Sequence, residues 1–521
     1  MVGGIGTQIW AGVRNATSGA SEIIDNALNE QRIRLAVTGL SRAGKTVFIT
    51  SLIHNLVALG NGRDTLPRLS KRLLDNGRSR LRKVTFVPTG MQTVPYFDFS
   101  SKLRGLSAEE AIWPSRTEGI AQISISLEIE RAGPTQKFGT RRVRLDILDY
   151  PGEWLLDLPL LDCGHHDWSA ETLKRFESGP FIPYTGQFLK YMSDLVPEGP
   201  ADESSVQQGH QLYKKALFDL QKFLGLRYLQ PGRFLCPGPT GDAPFLWFFP
   251  MRGTDASLPP GSLGILLRDR FETYKREVRR DFFDAHFKSF DRQVMLVDVL
   301  GCLFAGKTAF DDTAHAIFDL AVALRDGWGF WSKKHLKSAA DSVERSAAMA
   351  AGNNFRGGGW AVAVPLAAAG LAISSIIRPK PAGRVAFVAT KADHVPELDR
   401  QNLKSLLTSL SRDAAEEINQ ERNAKVTYHT AAAIRSTSDI TMEREGRSIR
   451  AVQGVLAGDG PARPFSPGQI PSSLPIPDYF WGGAYFELPN FRPPRISANG
   501  DNGISHLALD EVLDAVIGDL L

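Results

Sequence analysis

Two segments of this chain carry residues whose types and spacing could grip a nucleotide from both ends. Gly39, Ser41, Arg42, Ala43, Gly44, Lys45 and Thr46 fall in G-x-x-x-x-G-K-[ST], a phosphate loop. Backbone N–H groups of such a loop wrap phosphate, its lysine reaches the terminal phosphates, and its hydroxyl ligates Mg²⁺. Thr390, Lys391 and Asp393 fall in [NT]-K-x-D. An aspartate there can accept from N1–H and N2–H₂ of guanine, donors that adenine does not present in that arrangement. The loop alone predicts an NTPase; the pair predicts GTP and GDP as ligands.

Three further pieces complete the expected site. Residues 145–152 read as an apolar strand running into D-x-x-G, with Asp149 in the Mg²⁺ shell and Gly152 offering its N–H to a γ-phosphate. Thr117 precedes an alternating strand at 123–129 and is the candidate for closing on Mg²⁺, so Thr46, Thr117 and Asp149 form the expected metal set. The strand at 425–429 should end in a base-contacting loop near Ala431 and Ala432. Catalysis would draw on Lys45, Arg42 and Glu153. A carboxylate after Gly152 could take a proton from water or add repulsion beside phosphate. Glu153 could instead point away and cap the next turn. Arg42 could neutralise charge developing on the phosphoryl group, or face solvent and pair with an acidic neighbour.

These residues need elements that bring them to one place. Residues 33–38 read as a buried strand, and Val47, Phe48, Ile49, Leu52, Ile53, Leu56 and Val57 recur at helical spacing. Strand, loop, helix aims a helix N-terminus at the phosphates. An alternating strand at 123–129 could pair antiparallel with 142–148. Residues 301–308 also spell a phosphate loop, after a strand predicted over 294–300. No D-x-x-G lies between this copy and Lys391, so an ordinary core strand and helix is the better reading, although Lys307 could approach the nucleotide. The fold class is therefore α/β, a P-loop NTPase domain with a mostly parallel sheet and large, mainly helical insertions.

Motif spacing sets the expected layout. Residues 1–30 are an extension, 31–155 the first part of the core, and 156–289 a helical insertion after the second switch. Residues 290–325 return to the core, 326–379 form a second insertion, and 380–521 hold the guanine-reading part and the tail. Residues 357–377 carry no charge. A single membrane span there would put Lys45 and Asp393 on opposite sides of a bilayer, so a packed loop or a membrane-dipping tip remains.

Composition narrows the class. Lys+Arg 61 against Asp+Glu 57 gives +4, no global field for nucleic acid. The basic run 68–83 reads as a solvated helix face or loop, or as a patch for anionic membrane. Three cysteines fit a reducing cytoplasm rather than a disulfide framework, and no secretory signal opens the chain. Cys163-Gly164-His165-His166 reads as a surface loop, with a metal site as the alternative.

The strand and loop at 35–42, Trp113-Pro114-Ser115-Arg116-Thr117, Asp149-Tyr150-Pro151-Gly152-Glu153-Trp154, Phe290-Asp291-Arg292-Gln293, residues 390–394 and the tail 486–491 resemble the YcjX-like P-loop GTPases of proteobacteria. The resemblance spans about residues 31–521. It implies a cytoplasmic GTPase of the translation-factor-like superclass, associated with stress and phage-shock responses. It also implies an inner-membrane protein partner and leaves room for peripheral membrane contact. The place of Arg42 resembles that of the internal arginine finger of guanylate-binding proteins and atlastins; Arg116 is a second candidate finger. A GTP-gated scaffold with negligible hydrolysis is the alternative function. The phosphate-loop-like 301–308 and the apolar stretch before 379 depart from the family pattern.

Overall fold

The computed structural model describes residues 30–88, 94–115, 117–133, 136, 139–238, 241, 243–254, 257–280, 290–329, 383–422, 424–444, 446–458, 460–481, 486–497 and 502–521. Arg116, the uncharged stretch 357–377, nearly all of the 1–30 extension and most of the second insertion lie outside the described residues.

Seven strands form the central sheet: β1 (Glu30–Gly39), β2 (Arg78–Phe86), β3 (Ala121–Arg131), β4 (Thr140–Asp149), β5 (Arg292–Val297), β6 (Arg384–Ala389) and β7 (Lys425–Thr430). Their order is β2-β3-β4-β1-β5-β6-β7. The run from β4 to β7 is parallel, and β2 and β3 are antiparallel additions at one edge. The alternation at 123–129 sets the β3–β4 register, with Ile123 opposite Ile147 and Ile125 opposite Leu145. A one-residue slip would turn the apolar set to the wrong face. The inner parallel strands β5 and β6 are buried and read as apolar runs, whereas the edge strand β7 is only half-buried; even Arg292 of β5 is enclosed, donating to the Val516 carbonyl and to Asp519.

Because β1, β4, β5, β6 and β7 run the same way, their C-terminal ends open on one edge of the sheet. That edge receives the phosphate loop after β1, Asp149 at the end of β4, Asp298 after β5, residues 390–393 after β6 and residues 431–433 after β7. The helix Lys45–Gly60 follows the loop and buries Phe48, Ile49, Leu52, Ile53 and Leu56. It shares one face of the sheet with the helices Pro67–Asp75 and Leu509–Ile517.

The other face meets the insertion. Helices His165–Phe176, Ile182–Ser193, Glu203–Leu224 and Leu263–Val278 pack Trp168, Phe188, Tyr213 and Phe271 together, with Phe248 of the connecting segment among them. This aromatic core runs without a break into Met295, Val297 and Phe387 of the sheet. The insertion is thus bonded to the sheet by a shared apolar interior.

One predicted strand is shorter than expected. The strand predicted over 294–300 stops at Val297, because Asp298 caps a helix Val299–Ala305, its Oδ1 accepting from Gly301 N–H at 3.0 Å. The phosphate-loop spelling at 301–308 is therefore a helix, a turn at Gly306, and the start of the helix Lys307–Gly329. Lys307 pairs with Asp311 at 2.7 Å. The open loop that would wrap phosphate is replaced here by the helix Val299–Ala305. The basic run 68–83 is partly the edge strand β2, and Arg68, Arg72 and Arg80 pair with Glu511, Asp514 and Glu130. After β7 comes a small antiparallel sheet of β8 (Thr437–Arg444), β9 (Arg447–Gly454) and β10 (Arg463–Phe465), which the residue patterns did not reveal.

Candidate nucleotide site

A cavity of about 830 Å³ lies along the C-terminal edge of the sheet. At one side it is lined by Arg42, Ala43, Gly44 and Val47, and at the other by Thr390, Lys391, Asp393 and residues 431–434. Its size is in the range of pockets that enclose a small ligand. Among the described residues, three non-glycine residues hold the left-handed conformation, and two of them, Arg42 and Lys391, face this cavity. Such conformations are costly and concentrate where binding needs a fixed backbone.

Around the phosphate loop the predicted residues converge. Lys45 is buried, with Nζ donating to the Gly39 carbonyl at 2.9 Å and the Leu40 carbonyl at 3.2 Å. Gly152 lies against the same atoms: a Cβ there would come within 2.5 Å of the Gly39 oxygen and 2.6 Å of Lys45 Nζ. Only glycine lets the turn after β4 approach the loop this closely. The Thr46 and Thr117 hydroxyls are 2.8 Å apart, and both reach Asp149 Oδ2, at 3.3 and 2.8 Å. Residues 46, 117 and 149, distant in sequence, thus form one oxygen cluster.

The electrostatics of that cluster bear on a metal ion. Burial pushes the Asp149 carboxyl above its ordinary range, and the Lys45 ammonium with the Thr117 and Thr46 hydroxyls pulls it back. Its second oxygen, Oδ1, is buried without a hydrogen-bond partner among the described residues. A buried carboxylate with an unengaged oxygen beside two hydroxyls fits a hard, oxygen-loving divalent cation.

On the other side of the cavity, Asp393 is 1% exposed. Its Oδ2 accepts from Ser436 N–H at 2.7 Å and from Ser436 Oγ at 2.8 Å, which fixes the plane of the carboxylate. Lys391 Nζ bonds Asp298 Oδ2 at 2.7 Å. Burial pushes the Asp298 carboxyl up, but the Lys391 ammonium, Arg227 and the Gly301 N–H together hold the group below its ordinary value. Ala431 and Ala432 line the cavity, yet their N–H groups are used by the Ala389 and Leu507 carbonyls. They offer an apolar wall; the next N–H, at Ala433, takes no acceptor among the described residues.

Arg42 is exposed at the cavity wall. Glu153 is placed differently: it is 3% exposed and does not line the cavity. It belongs to the turn Gly152–Asp157, packed beneath residues 230–238 of the insertion. Trp154 Nε1 donates to the Cys236 carbonyl at 2.6 Å, and Gly232 N–H donates to Asp157 Oδ1 at 2.7 Å. Cys236 Sγ in turn lies 3.9 Å from the Thr117 carbonyl. His165, raised above as a metal alternative, is buried between Thr254 Oγ1 and the Phe249 carbonyl.

Sequence reasoning missed Ser436, Asp298, Ala433 and Trp113. Ser436 and Ala433 follow β7 closely, so a longer view of that loop would have included them. Asp298 had a visible signal, an acidic residue ending a parallel strand at the ligand edge.

A phosphate loop on the central strand of a mostly parallel sheet, with helical insertions, defines a P-loop α/β protein of the GTPase type. The chain belongs to the YcjX-like family, DUF463, whose sequence model matches residues 33–351 and 369–521. It is similar to the Ras-like GTPase YcjX of Escherichia coli, 29% identical over 501 residues covering 94% of this chain and 96% of that protein. The Ras-like GTPase YcjX of Shewanella oneidensis is 29% identical over 511 residues, 94% of this chain and 95% of the relative.

Proposed function

We propose that this chain is a Mg²⁺-dependent switch that binds GTP and hydrolyses it to GDP and phosphate. The observation that carries the reading is the pairing of two ends of one cavity. The phosphate loop lines one side through Arg42, Ala43 and Gly44 and leads straight into Lys45 and the Thr46–Thr117–Asp149 cluster, and an oriented, buried Asp393 lines the other. The relatives' printed name, Ras-like GTPase, supports the same class.

In this reading the loop amides and Lys45 hold the phosphates, and the Gly152 N–H meets the terminal one. Thr46 and Thr117 would hold Mg²⁺ directly, with Asp149 behind them; when bound, the ion supplies charge neutralisation at the phosphate oxygens. Asp393, braced by Ser436, accepts from the guanine edge. Lys391, in its left-handed turn, spans from the base to Asp298. Arg42, exposed on the wall, is the residue free to swing toward the transferring phosphoryl group, an effect worth ~10³–10⁵ in rate where a finger engages.

The burial of Glu153 beneath the 230–238 loop favours a second reading, a GTP-gated scaffold with little hydrolysis. A stress-response role, a cytoplasmic location and an inner-membrane protein partner belong to this proposal on the resemblance alone. Among the described residues no helix is long and apolar enough to cross a membrane, and all three cysteines are free. The test is phosphate release from GTP and ATP with Mg²⁺, alongside binding of fluorescent mant-GDP and mant-GTP, for wild type, Lys45→Ala and Arg42→Ala. GTP-specific turnover that disappears in Lys45→Ala and slows in Arg42→Ala, with binding kept in the latter, is expected. Guanine binding without turnover would favour the scaffold, and ATP preference would end the guanine reading.

A further inference from the structure

The tail motif ending in Leu488-Pro489-Asn490-Phe491 lies almost 450 residues beyond the phosphate loop and plays no part in the site described so far. In the fold it returns to the cavity, and all four residues line it. Its position is set by backbone bonds on each side. Glu487 N–H donates to the Pro467 carbonyl at 3.0 Å, Ala457 N–H to the Asn490 carbonyl at 2.8 Å, and Arg492 N–H to the Val455 carbonyl at 2.7 Å. Phe491 is 1% exposed and packs edge-on against His394, with ring centres 4.9 Å apart, immediately beside Asp393. Its carbonyl accepts from Trp113 Nε1 at 2.8 Å, in the segment that leads to Thr117.

Asn490 behaves otherwise. Its backbone is held, but its side chain is exposed at the cavity, and its carboxamide has no partner among the described residues. A carboxamide offers two donors and an acceptor. Held rigidly at the rim of a cavity whose inner wall is a buried carboxylate, it has the chemistry to meet a nucleoside: ring nitrogens, an exocyclic oxygen or ribose hydroxyls. Preorganised backbone with one unengaged polar group is how binding sites fix orientation at low entropic cost.

We infer that residues 488–491 form the outer wall of the nucleoside end of the cavity, with Asn490 hydrogen-bonding the polar edge of the bound guanine nucleoside. The inference rests on the guanine reading of Asp393. It assigns the tail a direct ligand contact, and Phe491 holds the turn that presents it.

The experiment uses the full chain and two probes, GDP and inorganic tripolyphosphate, titrated by calorimetry into wild type and Asn490→Ala, with ADP as a control. One lost hydrogen bond should weaken GDP by roughly threefold to tenfold. Tripolyphosphate, which has no nucleoside, should bind both proteins equally. Unchanged GDP affinity in Asn490→Ala would overturn the inference, and so would equal weakening of both probes, which reports a general disturbance. A wild type with no preference for GDP over ADP would remove the guanine reading and this inference together. A kept preference with an unmoved Asn490→Ala would remove this inference alone.

Discussion

Replacing Asp393 by asparagine isolates the base-reading end of the cavity. In the wild type, Oδ2 is held by Ser436 N–H and Oγ, so Oδ1 is the oxygen left for the exocyclic amino group of guanine. In Asp393→Asn the Ser436 N–H still demands an acceptor, so the amide oxygen turns to that side. The amide NH₂ then stands where Oδ1 stood, facing the N2 amino group donor to donor. Loss of a hydrogen bond to a charged acceptor costs about 1.5–3 kcal/mol, roughly 10- to 150-fold in affinity. Inosine diphosphate lacks the N2 amino group and does not suffer the clash. The wild type should therefore prefer GDP over inosine diphosphate by about 10- to 150-fold. In Asp393→Asn that ratio should fall to near one or invert, with GDP losing more than inosine diphosphate. Competition against mant-GDP reads both ratios, and a thermal melt checks folding. A variant that keeps the wild-type ratio would show that the carboxylate does not meet the N2 edge, and the reasoning from Ser436 would fail.

Gly152→Ala puts a Cβ within 2.5 Å of the Gly39 oxygen and 2.6 Å of Lys45 Nζ, so the 152–157 turn must retreat from the loop. GTP turnover should drop by about 100-fold, the effect of a small misplacement at a reacting centre, with mant-GDP affinity largely kept; wild-type turnover would refute the close approach. Asp157 is fully buried, and burial lifts its carboxyl to about 6 against the pull of Tyr274 and Arg233. A carboxyl raised in the folded state stabilises fully below its unfolded value of ~3.9 and loses that contribution as pH rises through the folded value. The stability of wild type relative to Asp157→Asn, from urea midpoints, should thus fall by up to about 3 kcal/mol between about pH 4 and pH 7.5. Parallel profiles would show that Asp157 is ordinary in the fold.

What could be read from the residues was what local pattern encodes. The strand before Gly39 and the helix after Lys45 are contiguous and periodic, and the alternation at 123–129 forces β3 against β4, which carries Thr117 to Asp149. What could not be read depends on partners supplied by tertiary structure. Residues 301–308 keep a phosphate-loop spelling, but Asp298 caps the preceding turn and makes it helix. Ser436 braces Asp393 only because β8 begins beside the turn that follows β6, and no residue type announces that. The same holds for residues 230–238, where sequence shows only a proline- and glycine-rich loop. A Cβ at Gly232 would overlap the Glu153 carbonyl oxygen, so the loop is pressed directly on the turn that follows β4. That turn is bonded to it through Trp154 and Asp157, while Cys236 lies against the carbonyls of Thr117 and Glu118. Neither switch segment can shift far without repacking this one loop, and the loop leads straight into the aromatic core of the insertion. The large separation between Gly152 and Lys391 in the chain is therefore occupied by a structure that touches both segments expected to respond to the γ-phosphate.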